Sequence, residues 1–306
     1  MGNVYDMIVI GGGPGGYTAA LYGARAGLRV LVLERFSVGG QMALTPLIEN
    51  YPGFPEGVDG YTLGEQMRQS AEQFGAETRL AEVTGLELRE DLKAVDTGDG
   101  RFYGRTVVIA TGAGPRMLGL EREEQLTGCG VSYCAHCDGM FYRGKTVMVV
   151  GGGNSAVADA LILSRIAEKV ILVHRRDTLR ATKVYHQSLM DAKNVQILWN
   201  SAVVELIGDG RLTGVVVEDL VSKERTQVDL DGLFVSIGRK PASELVAGIL
   251  PLDEGGYVIA DGSTKTRIPG VFAVGDVRTT HLRQIVTAVA DGAVAAEMAQ
   301  EYLMEK

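Results

Sequence analysis

Two cysteines with two residues between them are the best candidates for chemistry in this sequence. Cys134 and Cys137 enclose Ala135 and His136, and Asp138 follows directly. Thiols at this spacing can cycle between a disulfide and thiolates, and an adjacent carboxyl group can carry the proton. A zinc half-site would need two more ligands at suitable spacing, and the sequence offers no second pair. A pair of small buried hydrophobic residues is the other alternative. We therefore predict a redox-active dithiol with Asp138 as its acid/base.

The sequence allows two roles for each of two nearby side chains, His136 and Cys129. The imidazole of His136 either stabilises an adjacent thiolate or faces the solvent, and we expect the solvent-facing position. Cys129 stands five residues before Cys134. We expect Cys129 to be an inert small side chain, and the alternative is a third thiol that exchanges with Cys134.

Two glycine-rich segments have the pattern of a dinucleotide-binding turn. In such a turn the first glycine permits the tight bend, the second lets a pyrophosphate approach the backbone, and the third position allows the helix to pack on the strand. The helix that follows offers N–H groups and a partial positive charge. Each segment lies between a predicted strand and a predicted helix, so we predict two sites. The predicted binding residues are Gly11, Gly13, Pro14 and Gly16 in the first segment and Gly151, Gly153, Asn154, Ser155 and Ala156 in the second.

The residue at the end of the second strand distinguishes the two ligands. Glu34 holds this place in the first copy, where a carboxylate accepts hydrogen bonds from ribose hydroxyls and repels a 2′-phosphate. The same offset in the second copy falls on His174, and Arg175, Arg176 and Arg180 follow. Guanidinium groups offer fork-shaped, charge-assisted donors to a phosphate. The alternative is a solvated surface loop. We predict an adenosine dinucleotide without 2′-phosphate at the first site and NADP(H) at the second.

The strands and helices that must position these residues occur in two similar sets. Apolar segments bounded by glycine and polar turns predict strands, and longer periodic segments predict helices. The predicted strands are 6–10, 28–33, several short strands within 77–103, 106–110, 145–150, 169–173, 203–207, 212–218, 226–229, 233–237 and 271–274. The predicted helices are 17–26, 62–74, 154–165 and 285–303.

The series of strand, glycine segment, helix and strand recurs near the middle of the chain, which indicates an internal duplication of the nucleotide-binding unit. It predicts an α/β protein with two Rossmann-like dinucleotide-binding domains, the second inserted into the first. Segments rich in glycine and proline at 113–115 and 238–241 mark the boundaries. The first domain would comprise 1–113 and 242–306, and the second would comprise 114–241.

The overall composition excludes several classes of protein. A chain of 306 residues is long enough for two domains, and its net charge of −8 argues against nucleic acid or an anionic membrane as a partner. No apolar run approaches the roughly 20 residues that span a bilayer. Three cysteines do not make a disulfide framework in a chain of this size. We expect a soluble protein of a reducing compartment, the cytoplasm.

Together these residues resemble the low-molecular-weight thioredoxin reductases, which belong to the class II pyridine nucleotide-disulfide oxidoreductase family. The resemblance runs nearly from end to end, and its most specific feature is the Cys-Ala-x-Cys-Asp block just before the second glycine segment. The other segments that carry it are Gly39-Gly40-Gln41, 49–53, Ala110-Thr111-Gly112, 130–133, His174-Arg175-Arg176 with Arg180, Gly275-Asp276 and Arg283-Gln284.

The resemblance implies two cofactors. FAD would sit in the first domain, with its ADP half on the first glycine segment and Glu34. NADPH would bind the second glycine segment and the arginines. The residues implied around the isoalloxazine ring and ribityl chain are Gly40, Gln41, Asn50, Thr111, Gly112, Gly275, Asp276, Arg283 and Gln284.

The resemblance also implies a reaction, that of a thioredoxin-disulfide reductase. Cys137 would face the flavin, Cys134 would attack the disulfide of thioredoxin or a thioredoxin-like protein, and Asp138 would be the acid/base. In this family the two domains swivel and the protein is a homodimer. The chain departs from the family pattern at two positions. His136 stands where a small or β-branched residue is usual, and Cys129 where a basic residue is common.

Three other functions are compatible with part of the sequence. A ferredoxin–NADP⁺ oxidoreductase would need both dinucleotide sites but no dithiol. A flavin-dependent dithiol oxidase or ferredoxin-linked reductase would keep the dithiol without NADPH. A non-catalytic redox sensor would bind a dinucleotide and a partner without turnover. The dithiol argues against the first function, and the intact second glycine segment with its arginines argues against the second.

Overall fold

Seventeen strands and seven α-helices are present in the part of the chain that the computed structural model describes, namely residues 4–45, 47–88 and 91–306, with the backbone alone at 184 and 185. The chain divides into two units. Unit 1 combines Met1–Gly114 with Lys240–Lys306, and unit 2 is the continuous segment Pro115–Arg239. The predicted boundaries lie within two residues of these divisions. The assignment of one cofactor to each unit remains a prediction.

Strands and helices alternate at the start of each unit, and runs of consecutive strands follow. The strands are β1 (Val4–Ile10), β2 (Val30–Glu34), β3 (Glu77–Leu80), β4 (Val83–Glu87), β5 (Lys93–Thr97), β6 (Gly100–Ile109), β7 (Ala113–Pro115), β8 (Val131–Ser132), β9 (Thr146–Val150), β10 (Lys169–Val173), β11 (Val195–Leu198), β12 (Ser201–Ile207), β13 (Gly214–Asp219), β14 (Arg225–Asp229), β15 (Gly232–Val235), β16 (Arg239–Pro241) and β17 (Val271–Ala273). The α-helices are α1 (Pro14–Arg25), α2 (Gly60–Gln73), α3 (Glu123–Leu126), α4 (Ala135–Asp138), α5 (Asn154–Ser164), α6 (Lys183–Asp191) and α7 (Ile285–Met304).

Unit 1 is built on a seven-stranded sheet. The strand order is β3-β2-β1-β6-β5-β4, and β17 also pairs with β6. The pairs from β3 to β6 are parallel, and those from β6 to β4 are antiparallel. The long strand β6 therefore joins a Rossmann-like portion to an antiparallel portion. Its last three residues pair in parallel with β17.

Strand β1 shows why this sheet has apolar residues on both faces. Met7 and Val9 pack with residues of α1 and α7 on one face, and Ile8 and Ile10 pack into a second cluster on the other. All four are buried. A strand of a parallel sheet that is covered on both faces has a continuous apolar run instead of an alternating one. This explains the run that the sequence shows before the first glycine segment.

Helices α1 and α7 approach each other at two glycines. A Cβ added at Gly292 of α7 would collide with the carbonyl oxygen of Gly15 and lie 2.9 Å from the amide nitrogen of Ala19. A Cβ added at Gly15 would lie 3.1 Å from the carbonyl oxygen of Ala288. The helix that begins at the first glycine segment is therefore held from the other end of the chain.

Unit 2 repeats the parallel arrangement and adds a small antiparallel sheet. The parallel sheet has the order β11-β10-β9-β15-β8, and the antiparallel sheet has the order β12-β13-β14. Helix α5 packs on the parallel sheet through Ala156, Ala160 and Leu163, against a core that includes Val149 and Phe234. Strands β7 and β16, at the two chain crossings between the units, pair with each other.

The α/β class and the Rossmann-like arrangement are confirmed. Helix α2 begins two residues earlier than predicted because Asp59 caps it, its side chain accepting the N–H of Thr62 at 2.8 Å. Helix α6 and strand β11 were not predicted, since the stretch that contains them is polar and lacks a clear period. Within the described ranges, no helix is both long and apolar enough to cross a membrane.

Replacing Gly292 with alanine tests the helix contact in unit 1. The added methyl group has no room between α7 and α1, so we expect unfolding to be easier by about 2 kcal/mol. Gly262→Ala is the matched control, because a Cβ there would meet nothing within 4 Å. Thermal or urea unfolding of the full chain measures both. Equal stability of the two variants would contradict the close packing.

Candidate active site

The first glycine segment makes a turn that only glycine permits at its first position. Gly11 follows β1 with a φ of +109°, and a Cβ added there would collide with the carbonyl oxygen of Ala110. At Gly16 an added Cβ would collide with the carbonyl oxygen of Gly11. The segment thus places the start of α1 beside β1 and brings Thr111 and Gly112 to the same edge of the sheet.

The beginning of α1 is open. Gly13 is its N-cap residue, no side chain caps it, and Pro14 occupies the first turn. A Cβ added at Gly13 would meet nothing within 4 Å. Among the described residues, no side chain caps the first N–H groups of the helix, and there is room beside Gly13. This arrangement fits the pyrophosphate of a dinucleotide.

Glu34 is fixed beside this turn at the end of β2. Its side chain is buried, and its two carboxylate oxygens accept the N–H of Gly12 at 2.6 Å and the N–H of Phe36 at 3.1 Å. Each carboxylate oxygen can accept more than one hydrogen bond, so the group can still bind ribose hydroxyls. Its negative charge would repel a 2′-phosphate. The residues present therefore fit the ADP half of FAD.

Two of the residues predicted around the flavin lie close to this turn. The N–H of Gly39 donates to the carbonyl oxygen of Gly12 at 2.9 Å, and a Cβ added at Gly40 would lie 3.4 Å from Cα of Gly13. Gly40 and Gln41 begin a short 3₁₀ helix, Gly40–Leu44. This helix is therefore anchored beside the open end of α1.

The other residues predicted around the flavin form two further groups in unit 1. Thr111 Oγ1 donates to the carbonyl oxygen of Ala242 at 2.6 Å, and the N–H of Ala242 donates to that of Gly112 at 2.9 Å. Asn50 Nδ2 donates to Gln284 Oε1 at 3.0 Å. Gly275, Asp276 and Arg283 lie in the segment before α7. Direct contact of these residues with a flavin remains a prediction.

The second glycine segment reproduces the first in unit 2. Gly151 has a φ of +149°, and a Cβ added there would collide with the carbonyl oxygen of Ser236. Gly153 is the N-cap residue of α5, again with no side-chain cap, and a Cβ added there would meet nothing within 4 Å. Ala156 is buried and takes the third position, next to Gly151. Asn154 and Ser155 are exposed in the first turn of α5.

His174 lies beneath this second turn. Its ring is buried against Gly152, where an added Cβ would collide with it, and its Nε2 lies 3.0 Å from the carbonyl oxygen of Thr178. Burial lowers the pKa of His174, and nearby arginines lower it further. The buried ring therefore shapes the turn. A direct contact of His174 with a cofactor remains a prediction.

The three arginines are exposed around this turn. Arg175, Arg176 and Arg180 form no ion pair among the residues that the structure describes. The N–H groups of Arg180 and Ala181 donate to the carbonyl oxygen of Gly152 at 2.7 and 3.1 Å, which fixes the segment beside the turn. The N–H of Thr182 donates to Asn154 Oδ1 at 2.8 Å. Three uncompensated guanidinium groups beside an open helix end fit a 2′-phosphate.

Cys134 and Cys137 form a disulfide, with their Cα atoms 5.3 Å apart. Cys134 is the N-cap residue of the short helix α4, and its Sγ accepts the N–H of Cys137 at 3.2 Å. Both cysteines are half-buried. The hydrogen bond would stabilise negative charge on Cys134 once the pair is reduced. As predicted, His136 is exposed; Cys129 is an exposed free thiol.

Asp138 is linked to the disulfide through Ser132. Ser132 Oγ donates to Asp138 Oδ2 at 2.6 Å and accepts the N–H of Cys134 at 3.1 Å. Burial raises the pKa of the Asp138 carboxyl, and the hydrogen bond from Ser132 partly opposes this shift. A carboxyl group that retains its proton to higher pH is suited to donate that proton.

The short helix α4 between the two cysteines lies against α5, the helix that begins at the second glycine segment. Ala135 belongs to the same apolar cluster as Ala160 and Leu163 of α5. A Cβ added at Gly139, directly after α4, would lie 3.2 Å from Leu163. One helix therefore carries the candidate nucleotide site at its end and the disulfide on its side.

The sequence did not predict a half-buried carboxyl group on α5, that of Asp159. Asp159 accepts a short hydrogen bond from Ser236 Oγ. Burial raises the pKa of Asp159, while the bond from Ser236 and the charges of His136 and Arg239 lower it. The signal available was a single carboxylate inside the apolar run 156–163.

The residue that holds the segment before the disulfide was also not predicted. Glu123 is 1% exposed and accepts the hydroxyl of Tyr133 at 2.9 Å as well as the N–H groups of Leu118, Gly119 and Leu120. Nothing in the sequence marks this glutamate.

Comparison with known proteins gives one consistent family. The model of the family described as pyridine nucleotide-disulphide oxidoreductase matches residues 5–292. A thioredoxin reductase from Peptoclostridium acidaminophilum is 43% identical over 309 residues, covering 99% of this chain and 98% of that protein. One from Mycolicibacterium smegmatis is 44% identical over 304 residues, with the same two coverages.

Solved structures agree with the sequence relatives. The crystal structure of thioredoxin reductase from Streptococcus pyogenes has a TM-score of 0.92 and 42% identity, covering 99% of both chains. A thioredoxin reductase from Giardia duodenalis has a TM-score of 0.91 and 33% identity, again covering 99% of both. With two glycine turns, a Cys-x-x-Cys disulfide and this similarity over nearly its whole length, the chain belongs to the thioredoxin reductases of the pyridine nucleotide-disulphide oxidoreductase family, whose cofactors are FAD and NADPH.

Proposed function

We propose that this protein reduces the disulfide of thioredoxin, or of a thioredoxin-like protein, with electrons from NADPH. The observation that carries the proposal is the Cys134–Cys137 disulfide, since Ala135 between its two cysteines packs with the helix that begins at an arginine-flanked glycine turn. Neither a ferredoxin–NADP⁺ oxidoreductase nor an NADPH-independent dithiol oxidase needs both features.

The residues divide between two cofactors. When bound, FAD and NADPH supply the two electrons that reduce the disulfide. The residues proposed to hold FAD are Gly11, Gly13, Pro14, Gly16, Glu34, Gly40, Gln41, Asn50, Thr111, Gly112, Gly275, Asp276, Arg283 and Gln284. The residues proposed to hold NADPH are Gly151, Gly153, Asn154, Ser155, Ala156, His174, Arg175, Arg176 and Arg180.

The reduced pair then acts in two exchange steps. The Cys134 thiolate attacks one sulfur of the partner's disulfide, so that a mixed disulfide forms and the partner's other sulfur leaves as a thiolate and takes a proton. The Cys137 thiolate next attacks Cys134 Sγ. This step re-forms the Cys134–Cys137 disulfide and releases the partner as a dithiol. Two electrons have passed from the protein to its partner.

The local hydrogen bonds support this division of roles. The N–H of Cys137 points at Cys134 Sγ, so Cys134 is the thiol whose negative charge the backbone stabilises. Cys137 is then the thiol left for the flavin side. Asp138 has a raised pKa and shares Ser132 with the backbone of Cys134, which suits it to protonate the leaving thiolate.

We further propose that the protein is a cytoplasmic homodimer. The apolar side chains of Val286 and Val294 are 43% and 37% exposed on α7, and the free thiol of Cys129 is exposed, as expected in a reducing compartment. Sedimentation equilibrium of the purified protein tests the dimer.

An anaerobic titration tests the whole proposal. Purified protein is titrated with NADPH, and in parallel with NADH, while the visible absorbance of the flavin is followed. Oxidised thioredoxin is then added. We expect NADPH to bleach the absorbance at much lower concentration than NADH, and thioredoxin to restore it. Failure of NADPH to bleach the flavin would favour another electron donor, and absence of multiple turnover would favour a redox sensor.

Replacing Arg175 and Arg176 with alanine tests the 2′-phosphate site. Two charge-assisted hydrogen bonds are lost, so we expect kcat/KM for NADPH to fall by roughly 100-fold and that for NADH to change little. The double variant K223A/R225A is the control, since it removes two exposed cations of unit 2 that pair with Glu218 instead. An unchanged NADPH-to-NADH ratio in R175A/R176A would refute the assignment.

Serine variants of the two cysteines test the order of exchange. Cys137→Ser keeps the attacking thiol, so we expect NADPH still to reduce the flavin, turnover of thioredoxin to stop, and a mixed disulfide with thioredoxin to accumulate on a non-reducing gel. Cys134→Ser is the matched variant and should form little of this adduct. Adduct formation by Cys134→Ser alone, or surviving turnover in Cys137→Ser, would reverse the assignment.

Asp138→Asn tests the buried acid. Loss of the proton donor should lower disulfide reduction by about 100-fold. Because folding raises the pKa of this carboxyl, wild-type stability falls as the pH rises from the unfolded to the folded pKa. The asparagine variant avoids this cost, so its melting temperature should exceed that of the wild type at pH 8 and approach it near pH 4. Asp209→Asn, at a fully exposed carboxyl of unit 2, is the control and should show no such trend.

A further inference from the structure

A buried ion pair in unit 1 holds one end of the segment 275–284, here called the flavin segment because the proposed function places four flavin-binding residues in it. Asp291 of α7 accepts Arg278 Nε and Nη2, both at 2.7 Å, and its Oδ2 also accepts the N–H of Gly275 at 2.9 Å. The side chains of Arg278 and Asp291 are only 11% and 14% exposed. One carboxylate therefore fixes both the first residue of the segment and an arginine in its middle.

Further hydrogen bonds of Arg278 hold the backbone of the flavin segment and the side chain of Arg283. The Nη1 of Arg278 donates to the carbonyl oxygens of Asp261 and Thr279, each at 3.2 Å. The carbonyl oxygen of Arg278 accepts Arg283 Nη2 at 3.4 Å, and Arg283 Nε donates to the carbonyl oxygen of Asp276 at 3.4 Å. The orientation of Arg283 thus depends on the backbone that Arg278 holds.

The far end of the flavin segment is closed by α7 itself. Arg283 stacks over the ring of Tyr257, with its guanidinium carbon 3.9 Å from the ring centroid. Gln284 is the N-cap residue of α7 and forms a reciprocal capping box with Thr287. Its side-chain oxygen also accepts Asn50 Nδ2. Helix α7 therefore anchors the segment twice, through Gln284 where the helix begins and through Asp291 two turns later.

We propose that Asp291 is a positioning residue for the flavin, acting through Arg278. It lies outside the predicted cofactor contacts, yet its carboxylate sets the backbone of Gly275 and, through Arg278, the position of Arg283. This inference rests on the proposed function, because it takes the flavin segment as part of the FAD site.

The chemistry of a buried ion pair gives the proposal a distinctive test. Removing one partner leaves an uncompensated buried charge and destabilises the fold, whereas removing both is often close to neutral for stability. If the pair had only a structural role, the double substitution would therefore restore both the stability and the binding of the cofactor. A positioning pair would recover stability but not the binding of the cofactor.

The experiment compares Asp291→Asn, Arg278→Lys and the double variant R278Q/D291N with the wild type. The full chain is stripped of flavin, its melting temperature is recorded, and FAD is titrated back by flavin fluorescence. Visible circular dichroism of the bound flavin reports its orientation. Asp96→Asn is the matched control, because Asp96 makes a similar two-bond pair with Arg101, at 2.6 and 2.8 Å, on strand β5 of the same unit.

We expect Asp291→Asn to raise the dissociation constant of FAD by about 10- to 100-fold, the range typical of outer partners of a bound group, and to alter the circular dichroism. Arg278→Lys keeps the positive charge but cannot form the paired hydrogen bonds of a guanidinium group. It should therefore also raise the dissociation constant of FAD, and it replaces Asp291→Asn as the test if that variant fails to fold. The double variant should regain the melting temperature but not the FAD affinity. Asp96→Asn should leave FAD binding unchanged.

Three outcomes would overturn the inference. Wild-type FAD affinity and circular dichroism in Asp291→Asn would show that the pair does not position the flavin. Full recovery of FAD affinity in the double variant would show that only the uncompensated charge mattered. A wild-type chain that binds no FAD would overturn the proposed function together with this inference, which separates that failure from the other two.

Discussion

The arrangement of both units depends on one steric constraint, the absence of a side chain at the first glycine of each dinucleotide turn. At Gly11 and at Gly151 the backbone takes a positive φ, and a neighbouring carbonyl oxygen fills the place of a Cβ. Only with this bend can the helix start directly after the strand, with its uncapped end open to a phosphate. The same solution in two separate sheets makes the chain a two-cofactor protein.

The second consequence of this bend is the placement of the disulfide. In unit 2 the helix that leaves the turn packs along the dithiol segment, through Ala160 and Leu163 against Ala135. The proposed nucleotide site and the segment of the sulfur pair are therefore both in contact with α5. Polar side chains that belong to neither group, such as Ser132 and Glu123, then fix the local geometry of the cysteines.

The local features were predictable from the sequence, and the tertiary ones were not. The glycine turns, the strands beside them and the different residues at or just after the end of the second strand of each copy, Glu34 in one and Arg175 in the other, can be recognised from short-range patterns. The α/β class was correctly predicted. Asp159 with Ser236 and Arg278 with Asp291 become visible only when distant segments meet. His174 shows what the comparison of equivalent positions in the two copies cannot predict. Its position beside the arginines was predicted, but its burial under Gly152 was not.

The divided course of unit 1 has a consequence for synthesis of the chain. Unit 2 is one continuous stretch, so all of its strands are synthesised before the last part of unit 1. Helix α1 must wait for α7, which packs on it through Gly15 and Gly292 and follows unit 2 in the sequence. We expect the inserted unit to complete its fold first in the nascent chain, while the apolar face of α1 remains uncovered and open to chaperones until α7 has been made.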